Sequence, residues 1–358
     1  MHALVSALDW GLGHTTRLIP ILKNLSNKGF QLTIVSTPIQ REVYTKFFPQ
    51  AIFINCSPLK ISYGKGKNQI FSFARLIPHL FIHLARDKKL VKKLTKTGDY
   101  KLIVSDNRYG FYAKTITSIL ITHQLKLITP INWPLFNHVI NCLYKRLLKP
   151  FDEIWIPSMP PPDNLSGKLS SVPTSLNRKT KHIGILSRFS VIDEIKINNY
   201  PHLDVLFIIS GPEKQRTVFE NIILQELKYN NQYNYLIFRG LSNNVSKIEN
   251  GINSPGELEM ISAIQSAKYI ICRSGYSSIM DLLYLGKRAL LVPTPGQSEQ
   301  EYLAEYLSRK NLFPTLNQND FQLEKAISML NNEDFHPLPS CNTLLLDKIF
   351  GNLRSNPS

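Results

Sequence analysis

Short apolar runs alternate with longer stretches whose apolar residues recur at helical spacing along most of this chain. Residues 3–8 (ALVSAL) form the first run and predict a buried strand. Leu18, Ile21, Leu22 and Leu25 then recur every three or four positions, which predicts a helix over 15–28 stopped by Gly29. Further strands are expected over 31–37, 51–55, 102–105, 126–129 and 153–157. Residues 158–181 (SMPPPDNLSGKLSSVPTSLNRKTK) carry no apolar period, and their Pro, Ser, Asn and Lys content predicts a linker. The pattern then restarts, with strands over 204–210, 234–238, 268–272 and 289–292 and helices over 214–228, 257–267 and 278–285. Strands alternating with helices predict parallel sheets covered on both faces. The reading is an α/β chain of two doubly wound halves: 1–158, a linker at 159–181, 182–340, and a last helix within 341–358 expected to pack on the N-terminal domain. Halves of this kind bind ligands at the carboxyl ends of their strands, in the cleft that two of them make. No repeat of solenoid period is visible.

Five turns at predicted strand ends carry the candidate chemistry. In DWGLGHTTR (9–17), Gly11 and Gly13 let backbone amides approach a ligand at a helix N-terminus. A dinucleotide fingerprint is excluded, because its third glycine would fall on Thr16 and the second strand ends in Ser36-Thr37 without a ribose-binding acid. His14 suits a general base, with a turn or capping role as the alternative. Asp106, followed by Asn107 and Arg108, ends a buried strand that a doubly wound sheet sets beside the first, so it could orient His14, or it could cap a helix starting near Tyr109. In CRSGYSSIMDLLYLG (272–286), Arg273, Ser274, Gly275, Ser277 and Ser278 offer amides and hydroxyls to a diphosphate, and Asp281 is expected in the first helical turn, ready for ribose hydroxyls. Gln297, Gln300 and Glu301 could read sugar hydroxyls from the loop after the 289–292 strand. Ser210, Gly211, Lys214 and Arg216 follow a strand in the same way, the two cations either neutralising phosphate or lying in solvent.

Charge adds a direction. Of 42 basic and 26 acidic side chains, 22 and 5 lie in residues 1–150 and 20 and 21 in 151–358, so the +16 excess belongs to the first half. That half attracts something anionic: a phospholipid surface, a phosphorylated acceptor or nucleic acid. The segment 71–101 looks amphipathic, its apolar run 76–84 leading into Lys88, Lys89, Lys92, Lys93 and Lys96, as a helix on anionic headgroups would. With 358 residues, of which 43% are hydrophobic, two globular domains are expected. No apolar run is long enough for a bilayer span, and the N-terminus has no signal-peptide pattern. Cys56, Cys142, Cys272 and Cys341 form no C-x-x-C pair, so neither zinc nor disulfides are expected and a reducing cytoplasm fits.

The stretch ELEMISAIQSAKYIICRSGYSSIMDLLYLGKRALLVPTPGQSEQEYLAEYL (257–307) resembles the donor-binding half of GT-B glycosyltransferases, closest to family 28, which includes the peptidoglycan lipid-intermediate GlcNAc transferases. DWGLGHTTR resembles that family's N-terminal glycine loop with its histidine. The resemblance implies two Rossmann-like domains facing each other across a cleft, a nucleotide-sugar donor (usually UDP-linked) in the second and an acceptor in the first. It makes Ser274 and Gly275 part of the diphosphate turn and Asp281 the ribose ligand, and puts Gln300 and Glu301 at the donor sugar. His14 stands at the acceptor–donor junction, and Asp106 resembles the aspartate paired with the catalytic histidine in plant and antibiotic glycosyltransferases.

The expectation is a metal-independent glycosyltransferase acting on a lipid-linked or envelope acceptor, at the inner membrane face, with no cofactor. No D-x-D motif is present to hold a metal on the diphosphate. A nucleotide-sugar 2-epimerase shares this architecture but needs more acidic residues than the first half offers. A nucleic-acid-binding protein would explain the basic charge but lacks a recognisable module.

Overall fold

The computed structural model describes residues 1–58, 69–127, 134–192, 200, 202–211, 213–241, 245, 248–332, 334–339 and 344–352. The chain divides into two compact units, Met1–Arg188 with Asn342–Ser358, and Phe189–Cys341.

The first unit runs β1 (His2–Ala7), α1 (Leu12–Asn27), β2 (Gln31–Ser36), α2 (Pro38–Phe47), β3 (Ile52–Asn55), α3 (Gln69–Thr97), β4 (Tyr100–Asp106), β5 (Thr117–Ile121), α4 (Pro134–Leu148), β6 (Glu153–Ile156) and β7 (Thr180–His182). Its strands form one parallel sheet in the order β3-β2-β1-β4-β5-β6-β7. Ala3, Leu4 and Val5 are all fully buried, as a strand covered on both faces requires. α1 buries Leu18, Ile19, Ile21, Leu22 and Leu25. The order reverses between β1 and β4, a topological switch point where the chain leaves the sheet in opposite directions and opens a crevice at the carboxyl ends.

Two expectations are corrected here. Residues 159–181 are not a linker: they belong to the first unit, with Leu165, Leu169 and Leu176 buried, two short 3-10 turns, and β7 closing the sheet. Asn164 Oδ1 accepts from the backbone N–H groups of Ser166 (2.7 Å) and Gly167 (3.1 Å), so side-chain oxygens replace the regular ladder. Isolated leucines among turn formers anchor an irregular segment without producing any period. The strand expected over 126–129 is absent where described. Lys126 donates to Leu169 O (3.0 Å) outside any ladder, the sheet position is filled by β5, and residues 128 and 129 lie outside the described residues. Nor does a helix start near Tyr109; the chain turns there instead, Phe111 N donating to Arg108 O (2.9 Å).

The second unit runs β8 (Val205–Ile208), α5 (Gln215–Tyr229), β9 (Tyr235–Phe238), β10 (Gly251–Ile252), α6 (Glu257–Ser266), β11 (Tyr269–Cys272), α7 (Tyr276–Tyr284), β12 (Leu290–Leu291), α8 (Ser298–Arg309) and α9 (Leu323–Leu330). Its parallel sheet has the order β10-β9-β8-β11-β12, with the reversal between β8 and β11. Val205, Phe207, Phe219, Ile223, Ile237, Ile271 and Leu290 form the core beneath α5 and α9. The last helix, α10 (Leu344–Asn352), returns to the first unit, where the Phe350 ring meets Trp155 edge-on at 5.2 Å. No described helix is long and apolar enough to cross a membrane.

Candidate active site

In the first unit the switch point brings one acidic and two basic groups together. β1 and β4 pair in register up to Ala7↔Asp106, and Leu8 N donates to Asp106 O (2.9 Å), which sets the Asp106 carboxylate beneath the first turn of α1. Gly11, at φ +83°, makes the sharp turn into that helix, so α1 begins at Leu12 and His14 stands in its first turn. Asp106 is fully buried. Its Oδ1 accepts from His14 Nδ1 (2.8 Å) and from Arg17 Nη2, and its Oδ2 accepts from Arg17 Nε (2.9 Å). Arg17 Nη1 donates to His123 Nδ1 (3.0 Å).

Burial raises the Asp106 carboxyl, but the adjoining Arg17 and His14 charges and their hydrogen bonds outweigh it and bring the group down to about 2. An ionised carboxylate only accepts, so the hydrogen between the two groups sits on His14 Nδ1, and Nε2 is the ring nitrogen left for a ligand. Arg17 Nη2 also lies 2.8 Å from His14 Nδ1, so the guanidinium touches both members of the pair. His14 keeps 16% of its side chain exposed, enough to meet a ligand.

The other residues of this loop serve the fold. Asn107 takes the left-handed conformation (φ +52°), its Oδ1 accepting from Tyr109 Oη (3.3 Å). Arg108 is not presented to an acceptor: it donates to both oxygens of buried Asp87 on α3 and to Ser6 Oγ (2.6 Å). Gly11 is exposed and Gly13 half-buried.

In the second unit, β8, β11 and β12 are adjacent, so the segments that follow them (210–211, 273–278 and 292–300) leave neighbouring strand ends. Ser274 Oγ donates to Gln300 O (2.9 Å), tying two of these loops together. Gln300 Oε1 accepts from Thr294 N (2.9 Å), its Nε2 donates to Gln297 Oε1 (2.5 Å), and Glu301 Oε1 accepts from Gly296 N (2.8 Å). The side chains expected to read a sugar therefore also brace their own loop. Gly275 caps α7, whose first turn holds half-buried Ser277 and Ser278 and no acidic residue, leaving its positive end to an anion. Ser210 is half-buried and Gly211 exposed at φ +108°.

Three donor-site expectations change. Asp281 lies in the second turn of α7, not the first, and is buried. Arg216 does not reach outward: it donates to Glu213 Oε1 (2.7 Å) and Glu220 Oε2 (2.8 Å), while Arg239 Nη2 donates to Glu220 Oε1 (2.7 Å). Glu220 thereby bridges two guanidinium groups inside the unit, with Glu213 supplying the second negative charge. Arg273 is wholly buried, donating to Val292 O (3.3 Å), Pro293 O (3.2 Å), Gln215 O (3.0 Å) and Gln318 Oε1 (2.7 Å), with its guanidinium 4.2 Å above the Phe219 ring. Burial pulls it down to about 10. Each arginine sat in a plausible ligand loop; spacing alone cannot say whether a side chain turns inward to an unseen partner.

Arg17 and His123 were missed. Arg17 follows His14 by three residues, hence on the same helical face, and that spacing was the available signal. His123 has none, since it joins through β5.

Residues 205–340 match the model of the glycosyltransferase family 28 C-terminal domain. Among solved structures the chain is similar to the glycotransferase of kitacinnamycin (12% identity, TM-score 0.63, covering 99% of this chain and 95% of that one). It is similar to the glycosyltransferase SnogD from Streptomyces nogalater (10% identity, TM-score 0.63, 98% and 99%) and to MurG from Acinetobacter baumannii (15% identity, TM-score 0.54, 99% and 95%). No curated protein matches the chain by sequence. Both units are Rossmann-like, so the chain has the GT-B fold, and residues 205–340 of its second unit match the glycosyltransferase family 28 C-terminal domain.

Proposed function

We propose that this glycosyltransferase moves a sugar from a nucleotide-sugar donor, UDP-linked as in UDP-GlcNAc, to a hydroxyl of a lipid-linked or envelope acceptor. The observation that carries the reading is the His14–Asp106 pair at the switch point of one unit, in a chain whose other unit matches a family 28 domain. His14 Nε2 takes the acceptor hydroxyl's proton as the oxygen attacks the anomeric carbon. The bond from that carbon to the diphosphate oxygen breaks, and the nucleoside diphosphate leaves with the electron pair. Asp106 stays ionised and stabilises the imidazolium, as triad logic requires. The leaving group's charge meets the N-terminus of α7, with Ser277 and Ser278, beside Ser274, Gly275 and Gly211. Asp281 binds the ribose, and Gln297, Gln300 and Glu301 the sugar.

Trp10 (40% exposed) and Leu12 (45% exposed) give the His14 loop an apolar lip, which favours an acceptor with hydrocarbon character. On α3, Arg86, Lys88, Lys89, Lys92, Lys93 and Lys96 are exposed next to exposed Phe81 and Ile82, a combination suited to anionic headgroups at the cytoplasmic membrane face. The side chains of 71–80, the start of that expected amphipathic stretch, lie outside the described residues.

Thermal unfolding with UDP, GDP, dTDP and CMP, for the wild type and Asp281→Asn, tests the donor half. A ligand at 100 times its Kd adds about 2.7 kcal/mol. Stabilisation by UDP, lost in Asp281→Asn, is expected. A chain stabilised by none of the four would overturn the reading.

A further inference from the structure

Among the described residues of the second unit, two buried side-chain polar atoms lack a hydrogen-bond partner, Arg273 Nε and Thr294 Oγ1. Thr294, 1% exposed in the segment after β12, has a buried hydroxyl without a hydrogen-bond partner. Folded proteins seldom leave such a group unpaired, because its desolvation goes uncompensated. The backbone around it is held on both sides: Thr294 N donates to Gln300 Oε1 (2.9 Å), and Arg273 Nη1 donates to Val292 O and Pro293 O just before it.

The hydroxyl looks toward Gly211. A Cβ built on Gly211 would stand 3.5 Å from Thr294 Oγ1, and Gly211 itself holds φ +108°, where a side chain is strained. Gly211, which follows β8 at the reversal of strand order, thus sets no side chain against the hydroxyl. Charge says what fits there. Arg273 is a buried cation whose hydrogen bonds run to three carbonyls and one amide, and no carboxylate among the described residues pairs with it. Its Nε is also buried without a partner. A positive charge fastened under this loop without a counter-ion favours an anion over a neutral sugar hydroxyl.

We propose that the Thr294 hydroxyl donates to a phosphate oxygen of the donor's diphosphate, on the side where Gly211 carries no side chain, making it a donor-site residue that the sequence did not single out. This rests on the donor reading above. Arg273 is a positioning residue, holding the loop and supplying charge without contact.

Isothermal titration of the full chain with UDP and with uridine tests it. Thr294→Val keeps the shape and removes the hydroxyl. It is expected to weaken UDP at least tenfold, leave uridine within twofold, and melt without ligand no lower than wild type. Thr294→Ser should retain UDP binding, and comparing it with Thr294→Ala repeats the test without the added methyl. UDP affinity within twofold of wild type in Thr294→Val, the result if only water sits there, overturns the proposal and leaves the donor site standing. Equal loss of UDP and uridine also overturns it, since that marks a merely structural role. A wild type that binds no UDP overturns the donor reading and this inference together.

Discussion

Asp106 accepts from Arg17 through both oxygens and from His14 through one, so its ionised state holds a histidine tautomer as well as a fold. The depressed carboxyl (about 2, against ~3.9 when unfolded) fixes the sign of its pH dependence. The stabilisation is fully present above the unfolded value and is lost as pH falls from about 4 through about 2. At roughly 1.4 kcal/mol per unit, the loss is on the order of 2 kcal/mol. Urea unfolding at pH 5 and pH 2.5 should show it, and Asp106→Asn should lack this component while starting several kcal/mol less stable, because Arg17 is left buried without its anion. Equal pH slopes in wild type and variant would contradict the pairing. The sequence offered Asp106 either as the partner of His14 or as a helix cap, and the pairing of neighbouring parallel strand ends brings about the first. It could not show Arg108 and Arg273 turning inward, since Asp87 lies far along the chain and the Arg273 partners are mostly backbone carbonyls; Arg216 had its partner at helical spacing, Glu220 four residues on.

Helices and strands were legible to the extent that burial imposes a period. α1 was expected over 15–28 and runs Leu12–Asn27, because Gly11 turns the chain three residues earlier than the apolar stripe begins. α2 starts with a signal independent of periodicity: Thr37 accepts from Gln40 N, Gln40 Oε1 accepts from Thr37 N (3.1 Å), and Pro38 occupies the first turn. Gln40 also donates to Ala7 O and Leu8 O (both 3.3 Å), so this cap is tied to the end of β1 that leads into the His14 loop. Thr37→Ala is expected to cost about 1 kcal/mol, read as a lower urea midpoint with an unchanged slope. An unchanged midpoint would mean that the box adds nothing to the helix. β7 and the turns before it were illegible, since three residues in a ladder and side-chain hydrogen bonds leave no repeating pattern.

At the scale of the whole molecule the charge asymmetry makes its own prediction. Vesicles of phosphatidylglycerol should bind the chain at low salt and release it near 1 M NaCl, where the screening length falls to ~3 Å. Reversing Lys88, Lys92 and Lys93 on the exposed face of α3 should weaken that binding several-fold in co-sedimentation, with UDP binding unchanged; no change would remove α3 as the membrane face. The sequence by itself determined the class: repeated strand–helix alternation, a basic first half, and glycine-bearing turns at strand ends, because each is a local consequence of burial, composition or backbone freedom. Only the tertiary structure decided the strand order in each unit and, with it, which turns become neighbours. Parallel pairing joins residues as distant as Ala7 and Asp106, and the partners that neutralise an arginine or leave a threonine hydroxyl unanswered are fixed by packing, which no single stretch of chain encodes.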